Sequence, residues 1–148
     1  VVPNQEVAMF KVLIRGGLFA LAAMLLAPLP AFAQSVSSPA PGTSERRAIL
    51  DAVRPLVIAQ VGPPVEFVVS DIRVSGRFAF VAVEPQRPGG GEIDDSHLDS
   101  DMRDGLHTEA ILVNRNGRWL VVEHGIGSTD VWYVGFCNDY PRGLIPHC

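Results

Sequence analysis

"TEAILVNRNGRWLVVEHG", residues 108–125, decides the fold. Two apolar, β-branched runs flank Asn116-Gly117, and that dipeptide suits a two-residue type I′ turn because both central positions need positive φ. The stretch reads as a β-hairpin whose register follows from its turn: Arg115 faces Arg118, Val113 faces Leu120, Ile111 faces Val122 and Glu109 faces His124. Opposed side chains on an antiparallel pair lie about 5 Å apart at Cβ. A carboxylate at that distance can fix the tautomer of an imidazole or raise its pKa, which is what a general base requires. Glu109 and His124 are thus the candidate catalytic pair, with His107 and Asp130 near in sequence. The same pair also reads as a half-exposed ion pair at the end of a sheet, worth at most about 1 kcal/mol. A slip of one residue would send the two side chains to opposite faces.

Upstream, "VEFVVSDIRVSGRFAFVAVEP", residues 65–85, is again rich in β-branched and aromatic residues and is split by Ser75-Gly76. It predicts a second hairpin with strands over 65–74 and 77–84. Between the hairpins lies "PQRPGGGEIDDSHLDSDMRDG", residues 85–105, long enough to suggest a functional or disordered connection. Its "DSDMRDG", residues 99–105, resembles the start of a calcium loop but fails the ligand count. With Asp99 first, Arg103 falls where an oxygen ligand is required; with Gly105 as the turn glycine, Ile111 falls where the bidentate Glu belongs. His97 beside Asp95 or Asp99 lacks a second histidine. Neither a metal nor a cofactor is expected.

Further out, Ile49, Val53, Leu56 and Val57 recur near helical spacing after Thr43 and Ser44, either of which can cap a helix. At Pro55 it should kink or restart, and Gly62-Pro63-Pro64 should end it. "QSVSSPAPGTS", residues 34–44, has almost nothing to bury and reads as a disordered leader. At the other end, "STDVWYVGFCNDYP", residues 128–141, places Trp132, Phe136 and Tyr140 at spacing four behind a Ser128 or Thr129 cap, which predicts a short helix despite Gly135. The expected fold is α+β over residues 45–148: one antiparallel sheet of about four strands in two hairpins, packed on one face by an N-terminal helix and a short C-terminal helix.

"AILVNRNGRWLVVEH", residues 110–124, resembles the closing hairpin of nuclear-transport-factor-2-like domains, where a glycine turn precedes a Trp-containing strand. The order of elements is also similar to that of cystatin-like helix-on-sheet domains. The resemblance covers fifteen residues, departs from the first family in strand number, and carries no catalytic residue with it. It implies a small α+β domain, and function must come from the site.

The N-terminus reads as a secretory signal over residues 9–33. Lys11 and Arg15 precede the uncharged "GGLFALAAMLLA", residues 16–27, and Ala31 and Ala33 suit a peptidase that cuts before Gln34. Residues 1–8 read as an upstream over-extension. The apolar core is too short for a stable membrane span, so the expected location is periplasmic or secreted. An oxidising compartment makes a Cys137–Cys148 disulfide the expected fate of the two cysteines. Removing Glu6, Lys11 and Arg15 from the chain's 16 acidic and 12 basic residues leaves 15 and 10, all the basic ones Arg. That balance gives no reason to seek nucleic acid.

Two further features are open to a ligand. "GIGSTDVW", residues 125–132, has glycines for close backbone approach and a helix start whose free N–H groups suit an anion, although Asp130 already complements that dipole. Trp119 and Trp132 can line a groove or fill the core. The expected function is a small exported non-catalytic domain that binds an envelope protein, a peptide or a small molecule. The alternative is a small hydrolase, dehydratase or isomerase built on His124 and Glu109.

Overall fold

The computed structural model describes residues 35–98 and 103–148. Residues 1–34, which include the expected secretory signal, and residues 99–102 of the acidic stretch lie outside them. Helix α1 (Ser44–Val61) is followed by strands β1 (Glu66–Ser75), β2 (Phe78–Gln86), β3 (Thr108–Arg115) and β4 (Arg118–Ile126), and then by a single 3-10 segment, Trp132–Phe136. The strands form one antiparallel meander in the order β1-β2-β3-β4. The fold is α+β: one helix on a four-stranded sheet of two hairpins.

Thr43 caps α1 by accepting from the Arg46 N–H at 3.3 Å. Buried Ile49, Val53, Val57 and Val61 stand four residues apart and make one apolar stripe. Each such side chain removed from water contributes about 1.5–3 kcal/mol. The helix is continuous through Pro55 and does not restart there. Pro55 is on the exposed side, where its ring displaces no packed group and water can serve the carbonyl one turn back.

The leader over 34–44, expected to be disordered, is tied down over its described part. Ser37 pairs with Val74 at the outer edge of β1 through two backbone bonds of 2.8 and 2.7 Å, and Pro39 O accepts from Arg46 Nη1. Backbone pairing anchors a segment whose composition offers nothing to bury. In the first hairpin the loop is Gly76-Arg77, with Ser75 paired to Phe78; Gly76, at φ +57°, takes the first loop position.

The largest difference concerns the second face of the sheet. Ala79, Val81, Val83, Ala110, Leu112 and Trp119 pack with α1, whereas Phe78, Phe80, Ala82 and Ile111 pack with Trp132, Tyr133, Phe136, Tyr140, Leu144 and Ile145. Alternate residues of β2 thus enter two cores, and the C-terminal segment lies opposite α1 rather than beside it. It is also not an α-helix: Trp132–Phe136 is one 3-10 segment, and turns at Asp139, Leu144 and Cys148 follow. The aromatic spacing holds the face while Gly135 and Pro141 deny a longer helix. Cys137 and Cys148 form the expected disulfide, which closes this segment on itself.

The described part of the β2–β3 connection is packed, not merely solvated. Ile93, Leu98 and Leu106 cover Val57, Val61 and Val65 at the end of α1. Arg87 reaches back to the same place and donates to Val61 O, Gly62 O and Pro64 O at 2.7–2.8 Å. The last turn of α1 contains no basic residue of its own, so Arg87 supplies both the donors and the positive charge that a helix C-terminus lacks.

Candidate functional site

The second hairpin forms as its turn requires. Asn116 and Gly117 sit at φ +54° and +80°, and Asn114 Oδ1 accepts from the Gly117 N–H at 2.9 Å. Arg115 pairs with Arg118 and Val113 with Leu120. The register then shifts, because β4 carries one extra residue between the pairs Leu112–Val121 and Ile111–Glu123. Val122, 40% exposed, is bulged out. Beyond it Ala110 faces His124, and Glu109 faces Gly125. His124 is exposed on the edge strand, on the α1 side of the sheet, and Glu109 lies on the other side. The proposed catalytic pair is therefore not brought together.

Glu109 has other company. Its side chain is 15% exposed, and Oε1 lies 3.9 Å from His107 Nε2. The same His107 nitrogen is 3.0 Å from Ser128 O. A carbonyl only accepts, so Nε2 carries the proton in that contact. Opposite Glu109, Gly125 leaves room that a side chain would fill: an added Cβ would come within 2.3 Å of Ser128 Oγ and 2.4 Å of Trp132 Nε1. The indole thereby reaches the carboxylate. Trp132 draws the Glu109 pKa slightly down, yet neither Trp132 Nε1 nor Glu109 Oε2 completes a hydrogen bond. Burial dominates and holds the Glu109 carboxyl above its ordinary range, with the His107 charge opposing the rise and Glu84 adding to it. Tyr133 is pushed up as well, first by burial and then by the charges of Glu109 and Asp71.

A serine, a histidine and a glutamate meet here, but not as a nucleophilic relay. That relay needs one imidazole nitrogen on the carboxylate and the other on the hydroxyl. His107 turns one nitrogen, Nε2, toward both Glu109 and the Ser128 carbonyl. The arrangement sets an imidazole 3.9 Å from a largely buried carboxylate and presents no ring nitrogen to Ser128 Oγ that would activate it.

The remaining candidates are dispersed. Trp119 is buried beneath α1, and Trp132 is half-buried on the opposite face. Asp130 is exposed. The 3-10 segment is preceded by Val131 and has no side-chain cap, so Ser128, Thr129 and Asp130 do not play the capping part expected of them. Among the described residues no group of three or more His, Cys, Asp and Glu is placed to hold a metal ion.

A different region is open. A groove of about 410 Å³ runs between Ala48, Asp51, Ala52 and Pro55 of α1 and residues 117–121 of β4. Asn114 sends its N–H to Arg77 O at 2.7 Å, toward β2. The Asn114–Trp119 pair is therefore of the non-hydrogen-bonded kind, and the N–H and C=O of Trp119 point away from the sheet. Val121, two residues on, repeats this. The outer edge of β4 thus offers main-chain donors and acceptors beside the groove. No short-range signal marks this edge, because it depends on β4 being last in the sheet.

Comparison with protein-family models, with curated proteins and with solved structures finds no match.

Proposed function

We propose that this chain is a small exported, non-catalytic binding domain that takes an extended peptide segment of an envelope partner along the outer edge of β4. The observation that carries the reading is the outward main chain of Trp119 and Val121 beside the α1–β4 groove. In strand addition, main-chain bonds supply affinity and pockets for alternate side chains supply specificity. The alternative of a small hydrolase, dehydratase or isomerase needs His124 and Glu109 to meet, and they stand on opposite faces. Export is supported by the signal-like residues 9–33 and by the Cys137–Cys148 bond.

The test is Val121→Pro. Proline at this position removes a donor from the outer edge and leaves the β3–β4 ladder its bonds. The wild-type domain, immobilised and exposed to envelope extract, should retain a partner that the Val121→Pro domain of unchanged circular dichroism does not. Undiminished capture by the variant would refute the β4 edge as the binding surface.

A further inference from the structure

We infer that the segment bound at β4 is acidic, and that its carboxylates seat on Arg77, Arg115 and Arg118 at the turn end of the sheet. The inference rests on the strand-addition reading above and adds the chemistry of the partner.

Both hairpin turns lie at one end of the meander, and Arg77 O accepts the Asn114 N–H at 2.7 Å, so the two turns are direct neighbours. Arg77, Arg115 and Arg118 are all exposed. None of them forms an ion pair among the described residues, where the carboxylate-paired arginines are Arg54 with Asp51 and Arg73 with Asp71. The register sets Arg115 directly opposite Arg118. Like charges in that relation destabilise an antiparallel pair, and a chain with more acidic than basic residues has placed them there without a counter-ion. The acidic residues of the connection, Glu92, Asp94, Asp95 and Asp104, gather with Glu84 toward the opposite end of the sheet, where β2 leaves and β3 enters.

The cluster is also pre-organised. The Asn116-Gly117 turn is held by Asn114 Oδ1, and the Arg77 guanidinium lies 5.1 Å from the Phe78 ring centroid. Planar guanidinium groups match carboxylates through paired hydrogen bonds. Arg118 is also the first residue of β4 and lines the groove, so a strand laid along Trp119 and Val121 passes the arginines as it leaves the edge. That continuity favours an acidic peptide over a lipid headgroup. Nucleic acid is disfavoured by the acidic remainder of the domain.

Two fluorescein-labelled peptides test this, sharing an alternating Thr-Val core and ending in a short run of either Glu or Gln. Anisotropy titrations would use the whole domain, the double variant Arg115→Gln/Arg118→Gln, and Val121→Pro. The Glu-tailed peptide should bind the wild type roughly tenfold more tightly than the Gln-tailed one. The gap should close to within about twofold in the double variant and shrink in 0.5 M salt. Removing opposed like charges should leave the double variant at least as stable as wild type, so loss of preference will not reflect misfolding. Equal binding of the two peptides by the wild type overturns the inference, as does a preference that survives in the double variant. Binding of phosphatidylglycerol vesicles without binding of the Glu-tailed peptide overturns it in favour of a lipid. Val121→Pro should weaken both peptides alike. If it weakens neither while the charge preference persists, strand addition fails and the arginine site stands alone.

Discussion

Replacing Arg87 with Ala should destabilise the domain by about 2–3 kcal/mol, although the residue lies outside every element it stabilises. Its guanidinium donates to Val61 O, Gly62 O and Pro64 O. A hydrogen bond from a charged donor contributes about 1.5–3 kcal/mol where its loss strands a buried acceptor. Here the sum must be discounted, because Arg87 is only half-buried and Pro64 is exposed, so water can take over part of the work. The charge at the helix terminus adds a few tenths to about 1 kcal/mol. For a domain of this size that loss corresponds to a fall in Tm of roughly 10–15 °C. Urea unfolding followed by far-UV circular dichroism is the assay, and the midpoint should move without a change in slope. Arg87→Lys keeps the charge but loses the fork, and should recover less than half of the deficit. Arg77→Ala, which removes an equally charged but exposed side chain, should stay within about 0.5 kcal/mol of wild type. If Arg87→Ala stays within that range, or if lysine restores full stability, the geometric cap is wrong.

Gly125→Ala forces a Cβ to within 2.3–2.4 Å of Ser128 Oγ and Trp132 Nε1; it should cost about 1–3 kcal/mol and shift tryptophan emission, whereas Gly135→Ala, with nothing within 4 Å, should do neither. Because burial raises the Glu109 pKa, the folded state binds that proton more tightly than the unfolded one, so this group's stabilising contribution is complete at acid pH and is lost as pH rises through its folded pKa. Glu109→Gln should therefore stabilise the domain at pH 7 by on the order of 1 kcal/mol and give no gain at acid pH where wild-type Glu109 is protonated; equal gains at both pH values would contradict this. Cys137→Ser with Cys148→Ser should lower stability by about 3 kcal/mol on the loop-entropy account, and the purified wild type should show no free thiol on titration without reductant.

The second hairpin was readable because its information is local. Asn116-Gly117 specifies a turn, the turn specifies Arg115 opposite Arg118, and alternation carries the pairing as far as Val113 and Leu120. The Thr43 cap and the pairing of the only two cysteines were readable for the same reason. The bulge at Val122 was not, since "LVVEHG" is a good regular strand by composition. Its context is tertiary: the shifted register puts Gly125 where Trp132 and Ser128 from the next segment must fit. One unreadable residue was enough to part Glu109 from His124 and give it His107 and Trp132 instead. Arg87 escaped notice because its acceptors lie 23–26 residues away. The two-sided core did leave a signal. "FAFVAV", residues 78–83, is an unbroken apolar run, which marks a strand covered on both faces rather than one.

That second cover constrains where recognition can occur. With α1 on one face and the disulfide-closed C-terminal segment on the other, both faces of the central strands β2 and β3 are covered. The edges and ends of the sheet remain. The edge of β1 is guarded from Ser70 onward: Ser37 pairs with Val74, and an irregularity near Ser70 turns that hydroxyl onto Ala82 O. The edge of β4 is guarded only from Val122 onward, by its bulge. On β4, regular, open edge is left over residues 118–121, a length of about 13 Å. Long flat edges invite uncontrolled sheet growth, and a bulge is one way to stop it. A bulge placed after four residues permits a short strand to dock while denying a long one. A strand docked as proposed would enter beside Arg118 and the groove beneath α1, so the residue that parts Glu109 from His124 is also the one that sets the length of the regular β4 edge.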